Sequence, residues 1–290
     1  MTLRQSILAL LLFALCSLLP VSAQENDEVG LWHEIGVEKA ITKNWDVGLD
    51  MEYRSQDKAR FSAGLGTSYK VCKNLRFGVN YNFLYTYRPD KYKDKNEGEV
   101  GSEYWETGYN HTPRHWYPRH RFSAEATGNI KLWNLIKVSL RERYQLTQSR
   151  ARTVDKFKHR VINEKKYDFD DDWNEISWYE ESVTDETEPK YYPAYTDQVL
   201  RSRIKIEYDK KRFPFSPFVS AEAHNSVNVG DHMLLQKVRA AIGSTYKFRK
   251  RNEVSLSYVI TFDIYDIEDN VAVRQHDRKH AICLGYKYSF

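Results

Sequence analysis

The sequence predicts an all-β chain, an antiparallel transmembrane β-barrel of about 12 strands with 10 as the alternative, and two long extracellular loops. Three observations carry this. Apolar and aromatic residues recur at every second position in segment after segment, which is the period of a strand. The opposite face of those segments is densely charged rather than merely polar. Connections between segments alternate between short and long, as in outer-membrane barrels.

The chain opens on a secretory signal. Arg4 precedes a short apolar run over Ile7–Leu19, and Val21-Ser22-Ala23 supplies a small-residue cleavage site, so residues 1–23 read as a signal peptide. The run is too short for a helix that must hold roughly 20 apolar residues to cross a bilayer. No later stretch approaches that length, and a mean hydropathy of -0.70 excludes a bundle of membrane helices. Residues 24–290 are then the barrel domain, with the long loops at about 89–117 and 149–195.

Eleven alternating segments follow. The first runs from Leu31 to Ala40 and turns at Thr42-Lys43-Asn44. The second sets Trp45, Val47, Leu49, Met51 and Tyr53 against Asp46, Asp50, Glu52 and Arg54. The third presents Phe61, Ala63, Leu65 and Tyr69. The fourth is the cleanest, with Leu75, Phe77, Val79, Tyr81, Phe83, Tyr85 and Tyr87 in strict alternation. Phe122, Ala124, Ala126 and Ile130 mark the fifth, and Ile136, Val138, Leu140, Tyr144 and Leu146 the sixth. The last five are headed by Leu200, Val219, Val238, Val254 and His280. Bacterial single-chain barrels carry an even strand number. Twelve strands are therefore expected, or ten if residues 24–41 form no full wall strand.

Strands of about 10 to 15 residues suit a bilayer crossing better than a β-sandwich, whose strands average nearer 5 or 6. The charged face is then a lumen, and its ladder is Asp50, Glu52, Arg54, Arg121, Glu125, Arg141, Arg143, Arg201, Arg203, Glu207, Glu222 and Arg239. Such a ladder either lines a selective pore or fills a small barrel with paired charges. Glu142 falls on the apolar side of its segment, where a charge costs up to roughly 2–4 kcal/mol at the midplane and less near the rim. A bulge or a rim position would relieve it. Cys72 and Cys283 lie roughly 23 Å apart in height, seven residues at about 3.3 Å, too far for a disulfide.

The segments GLWHEIGVEKAITKNWDVGLDMEYR, RHRFSAEATG, LRERYQL, LRSRIKIEY and FVSAEAHN, with the closing strand, resemble the bacterial outer-membrane barrel family known as domain of unknown function 2490. The resemblance covers the chain after the signal apart from the two loops. It implies a barrel in the outer membrane of a Gram-negative bacterium, with outer-membrane lipid around it and no assigned activity. The alternating end Tyr286, Tyr288, Phe290 resembles the signal read by the outer-membrane assembly machinery. Phe290→Ala is expected to impair assembly more than a comparable loop change.

Chemical motifs are sparse. His111, His115 and His120 match no zinc spacing, and Pro113 and Pro118 break any helix that would align them. Asp168, Asp170, Asp171 and Asp172 lack the calcium-loop glycine, so no metal is expected. A basic run, KFKHRVINEKK, precedes an acidic one, YDFDDDWNEISWYEESVTDETEP, which suggests a self-attracting hairpin. No phosphate-cradling glycine loop or nucleophile motif appears, so no cofactor and no enzyme activity are expected. The balance of 44 basic against 40 acidic residues gives no reason to expect nucleic acid. Three functions stay open. The barrel is structural or a narrow passage for small solutes; or Trp105, Trp116, Trp173, Trp178, Tyr179, Tyr191 and Tyr192 hold a surface glycan or protein partner; or His120 and Ser123 serve a hydrolase.

Overall fold

The structure, a computed structural model, describes residues 29–55, 59–210, 213–229, 232–249, 251–268 and 271–290. The expected signal peptide lies outside them. Fifteen strands are present among these residues: β1 (Val29–Ala40), β2 (Trp45–Arg54), β3 (Arg60–Cys72), β4 (Leu75–Arg88), β5 (Lys91–Asp94), β6 (Tyr104–Thr112), β7 (His115–Leu132), β8 (Ile136–Ser149), β9 (Arg152–Phe169), β10 (Glu175–Tyr192), β11 (Tyr195–Tyr208), β12 (Phe215–Ser226), β13 (Leu234–Phe248), β14 (Asn252–Glu268) and β15 (Val271–Ser289). Among the described residues, no helix is long and apolar enough to cross a membrane.

Eleven strands close into a barrel in the order β1-β15-β14-β13-β12-β11-β8-β7-β4-β3-β2. They coincide with the eleven alternating segments, so the expected count of twelve, or ten, becomes eleven. The even rule assumes that every neighbour is antiparallel. Here β1 and β15 run parallel, from Val29 opposite His280 to Glu38 opposite Ser289, and that one pair lets an odd number close. The other pairings whose register is defined are antiparallel, with β-bulges at His224/Asn225 and Asp263/Tyr265.

The register turns the alternation into two chemically different faces. Trp45 stands opposite Tyr69 and Tyr53 opposite Phe61, while Leu49 pairs with Leu65 and Met51 with Ala63 between them. Leu49, Met51 and Leu65 are 60%, 56% and 53% exposed on the outside of the wall. Trp45 and Tyr53 are separated by roughly 26 Å of strand, close to the ~25 Å apolar band that aromatic girdles bracket in membrane barrels. The aromatic row continues at the short-turn end, where Tyr208, Phe213, Phe215, Tyr246 and Phe248 touch in sequence. So much contiguous apolar surface would be an aggregation liability in water.

The turns follow the same economy. β7 and β8 are joined through Trp133 and Asn134, both at positive φ (49° and 53°), with Leu135 N donating to Leu132 O at 3.0 Å. Two left-handed residues in a row match the right-handed twist of the strands they join. Glu142 keeps the outward parity of Leu140 and Tyr144 in β8. Its carboxylate accepts a 2.6 Å hydrogen bond from Ser202 Oγ of the neighbouring β11, a cross-strand donor that offsets part of the cost of its charge. Cys72 and Cys283 are both free thiols.

The chain leaves the barrel between β4 and β7 and between β8 and β11, and these excursions form a second compact unit (residues 86–118 and 148–195). Its strands make a four-stranded sheet, β10-β9-β6-β5, where the sequence suggests loops. β9 and β10 pair along their full length around a turn at Asp170–Asn174, with Trp173 at φ 60°. The basic strand meets the acidic one: Lys156 and Lys158 reach Glu188 at 3.1 and 2.9 Å, and His159 Nδ1 lies 2.7 Å from Asp185.

Candidate functional site: the charged lumen

Side chains at odd positions of β7, β8, β11 and β13, and at even positions of β1, β2 and β12, point into the barrel. Inside the barrel a cavity of about 540 Å³ is walled by 10 of the 12 ladder residues, with Glu125 and Glu207 just beyond. Trp32, Glu34, Arg60, Asn80 and Asn82 also line it. Room for the two asparagines comes from β3, where Gly64 and Gly66 face them. A Cβ at Gly64 would lie 2.0 Å from Asn82 Nδ2, and one at Gly66 2.0 Å from Asn80 Oδ1. Asn82 Nδ2 in turn donates to Asp50 at 3.1 Å.

Three carboxylates organise the arginines. Glu52 accepts from Arg54 Nη2 at 2.6 Å and also from Arg60 Nη2. Glu125 holds Arg143 through Nε at 2.7 Å, with Arg141 at 3.9 Å. Glu222, whose side chain is 6% exposed, takes Arg141 Nη2 at 2.8 Å and Arg201 Nε at 2.9 Å, with His224 Nε2 lying 2.7 Å away. Such forked, charge-assisted bonds are the strong kind, and several to one carboxylate offset the cost of bringing it out of water.

Two arginines are held differently. Arg121 Nε donates to Thr147 Oγ1 at 3.1 Å and Arg239 Nε to Thr261 Oγ1 at 3.2 Å. Arg239 also stands over the Trp32 ring at 4.7 Å, the ring that carries Arg54 at 3.9 Å.

A second cavity of about 690 Å³ lies at the short-turn end. It shares Arg203, Lys205 and Lys287 with the first and adds Lys70, Lys73, Arg76, Lys137 and Lys247, with Glu207 as its one acidic wall residue. Lys205 lies 3.0 Å from Glu207 and 4.1 Å from the centre of the Phe218 ring. The sequence ladder omits Trp32, Glu34 and Arg60, although each keeps the inward parity of its strand. Trp32 is missed because an aromatic residue reads as belonging to the outer face.

The remaining sequence candidates separate. His120 sits on the outer wall, bonded to Tyr81 OH at 2.9 Å and edge-on to Phe83, whereas Ser123 faces inward and is 7% exposed. Odd and even positions of one strand cannot form a dyad. His111 bonds Asp90 at 2.7 Å and stacks on Tyr92, and His115 bonds Pro113 O at 3.0 Å. Among the described residues no group of three or more His, Cys, Asp or Glu is placed to hold a metal ion. Asp170 instead accepts from Asn174 N at 2.8 Å and Asp172 N at 2.9 Å in the β9–β10 turn. Tyr286, Tyr288 and Phe290 close the wall, with Phe290 N donating to Glu38 O at 2.9 Å and its ring edge-on to Tyr288.

In the second unit, Arg152 lies 3.9 Å from the centre of the Tyr117 ring and 4.6 Å from that of Tyr192, and Arg88 is 5.8 and 5.6 Å from the same two. Tyr179 packs on Trp105 at 4.6 Å, and Trp173 is 83% exposed at the hairpin tip.

A closed wall that is apolar outside and charged inside defines the inside-out class of the membrane β-barrel. Within that class the chain belongs to the family described as a protein of unknown function, DUF2490, which matches residues 29–271. Among solved structures it is similar to the CymD monoaromatic hydrocarbon channel, with a TM-score of 0.35 and 10% identity over 83% of this chain and 85% of that one. No curated protein matches it.

Proposed function

We propose that this protein is an outer-membrane β-barrel that serves as a narrow, water-filled passage for small solutes through a charged, ion-paired lumen. The observation that carries the reading is the pair of cavities, about 540 and 690 Å³, which share Arg203, Lys205 and Lys287 and so follow one another along the barrel interior. The apolar belt and its aromatic rows support insertion in a bilayer, and the apolar start of the sequence supports export. The reading is non-enzymatic: the His120–Ser123 pair is split between the two faces of one strand. His224 is engaged by Glu222, and Ser226 Oγ lies 3.4 Å from Asn228 Oδ1. Purified protein refolded into a planar bilayer is expected to give small, discrete current steps. A membrane as silent as one without protein would refute the passage.

The insert sheet favours a second reading, surface binding of a glycan. Exposed Trp173, Trp178 and Tyr191 offer flat apolar faces, and Arg88 and Arg152 crowd two tyrosine rings. Deleting residues 155–188 should then abolish retention on an immobilised lipopolysaccharide preparation while the barrel keeps its heat-modifiable band on a gel. Retention equal to that of the full chain would count against it.

A further inference from the structure

We infer that the lumen is built to hold and pass small oxyanions, solutes bearing carboxylate or phosphate groups, and that Arg121 and Arg239 are its selecting residues. This inference rests on the passage reading and adds the sign and chemistry of the solute.

The argument starts from charge. Ten basic and five acidic side chains line the central cavity, and eight basic and one acidic the cavity at the short-turn end. In the central cavity the acids most engaged by ion pairing are Glu52 and Glu222. Glu52 serves two arginines, and Glu222 serves two and a histidine. Packing alone explains the arginines held by those carboxylates. It does not explain Arg121 and Arg239, whose bonded partners are the neutral hydroxyls of Thr147 and Thr261.

Both stand among other cations. Arg60 and Arg201 lie within electrostatic reach of Arg121, and Arg54 and Arg201 within reach of Arg239, which also stands opposite Glu222 in the β12–β13 register without bonding it. Cations in excess of the carboxylates that bond them repel one another, so a lumen filled only for stability has no use for them. An oxyanion supplies the missing charge. Guanidinium forks match carboxylate and phosphate oxygens, and both Arg121 and Arg239 line the cavity that such a solute would enter. A low-dielectric passage lined by one sign of charge also concentrates the opposite ion, and basic rings are the usual lining of anion and phosphate pores. Arg203, Lys205 and Lys287 carry the positive lining from the central cavity into the second.

The test uses the whole protein in a planar bilayer under a potassium chloride gradient. The reversal potential should follow chloride rather than potassium, and millimolar inorganic phosphate or citrate should reduce the chloride current. In the double variant R121Q/R239Q the reversal potential should shift toward zero and the block by phosphate and citrate should be lost. That variant removes mutual repulsion and strands no carboxylate, so its heat-modifiable fold should persist. Potassium preference, or an anion preference unchanged in the double variant, would overturn the inference while leaving the passage standing. If the intact protein passes no current, titration calorimetry with phosphate and citrate decides. Binding that the double variant lacks would uphold the oxyanion site and refute only the passage; no binding would refute both.

Discussion

Glu222 draws Arg141, Arg201 and His224 to one buried carboxylate, so its removal leaves three groups facing one another with only Glu125, 3.9 Å from Arg141, as a counter-charge. Breaking one side of a buried pair typically costs about 3–5 kcal/mol. Glu222→Ala is therefore expected to lower the unfolding free energy of the refolded barrel, measured by urea titration, by an amount of that order. A loss under about 1 kcal/mol would mean that water already screens the site. Alternation alone places Glu222 inward, so its position is legible in the sequence. Its partners are not. Register sets Arg203 directly opposite Glu222, yet the carboxylate bonds Arg201 on the diagonal and Arg141 from β8, two strands away. Long side chains in a narrow lumen reach across several strands, and that reach depends on closure, which no local pattern encodes. Glu142 makes the same point on the outside, because its donor Ser202 is distant in sequence and adjacent only in the wall.

At the scale of elements, the sequence is clearest where one face of a strand is apolar and the other charged, and it fails where both faces are polar. β10 is exposed along nearly its whole length and shows no alternation, so within the long loop only the opposed charge runs point to a hairpin. β10 is a strand because β9 supplies complementary charge at paired positions. Glu188 illustrates this: hydrogen bonds from Lys158 first, and then Lys156, hold its carboxyl below the ordinary glutamate range. A depressed carboxyl contributes stability that is fully present above its unfolded value and is lost as pH falls through the folded one. Backbone amides of the β9–β10 hairpin should accordingly exchange with deuterium faster relative to the barrel, after correction for intrinsic rates, as pH drops below the ordinary glutamate pKa. Glu188→Gln should remove that step. A pH-independent ratio would show that the ladder bonds hold the hairpin unaided.

For the whole molecule, the inside-out pattern and the positions of eleven strands are legible from period-2 alternation alone, while the closure is not. Parity reasoning asks for an even number because it treats each neighbour as a hairpin partner. The β1/β15 pair has no hairpin to honour, since its strands come from opposite ends of the described chain. Its ladder also needs both of those strands in place, which makes it a contact of the longest sequence separation and so slow to form. Parallel neighbours cannot be joined by a tight turn. A circularly permuted chain that tied Phe290 to Val29 would have to span roughly 30 Å of wall with its new linker, at about 3.3 Å per residue. For a barrel set in a membrane, reporter groups attached beside Val29 and after Phe290 would therefore look into different compartments, so one molecule labelled at both positions records its own orientation.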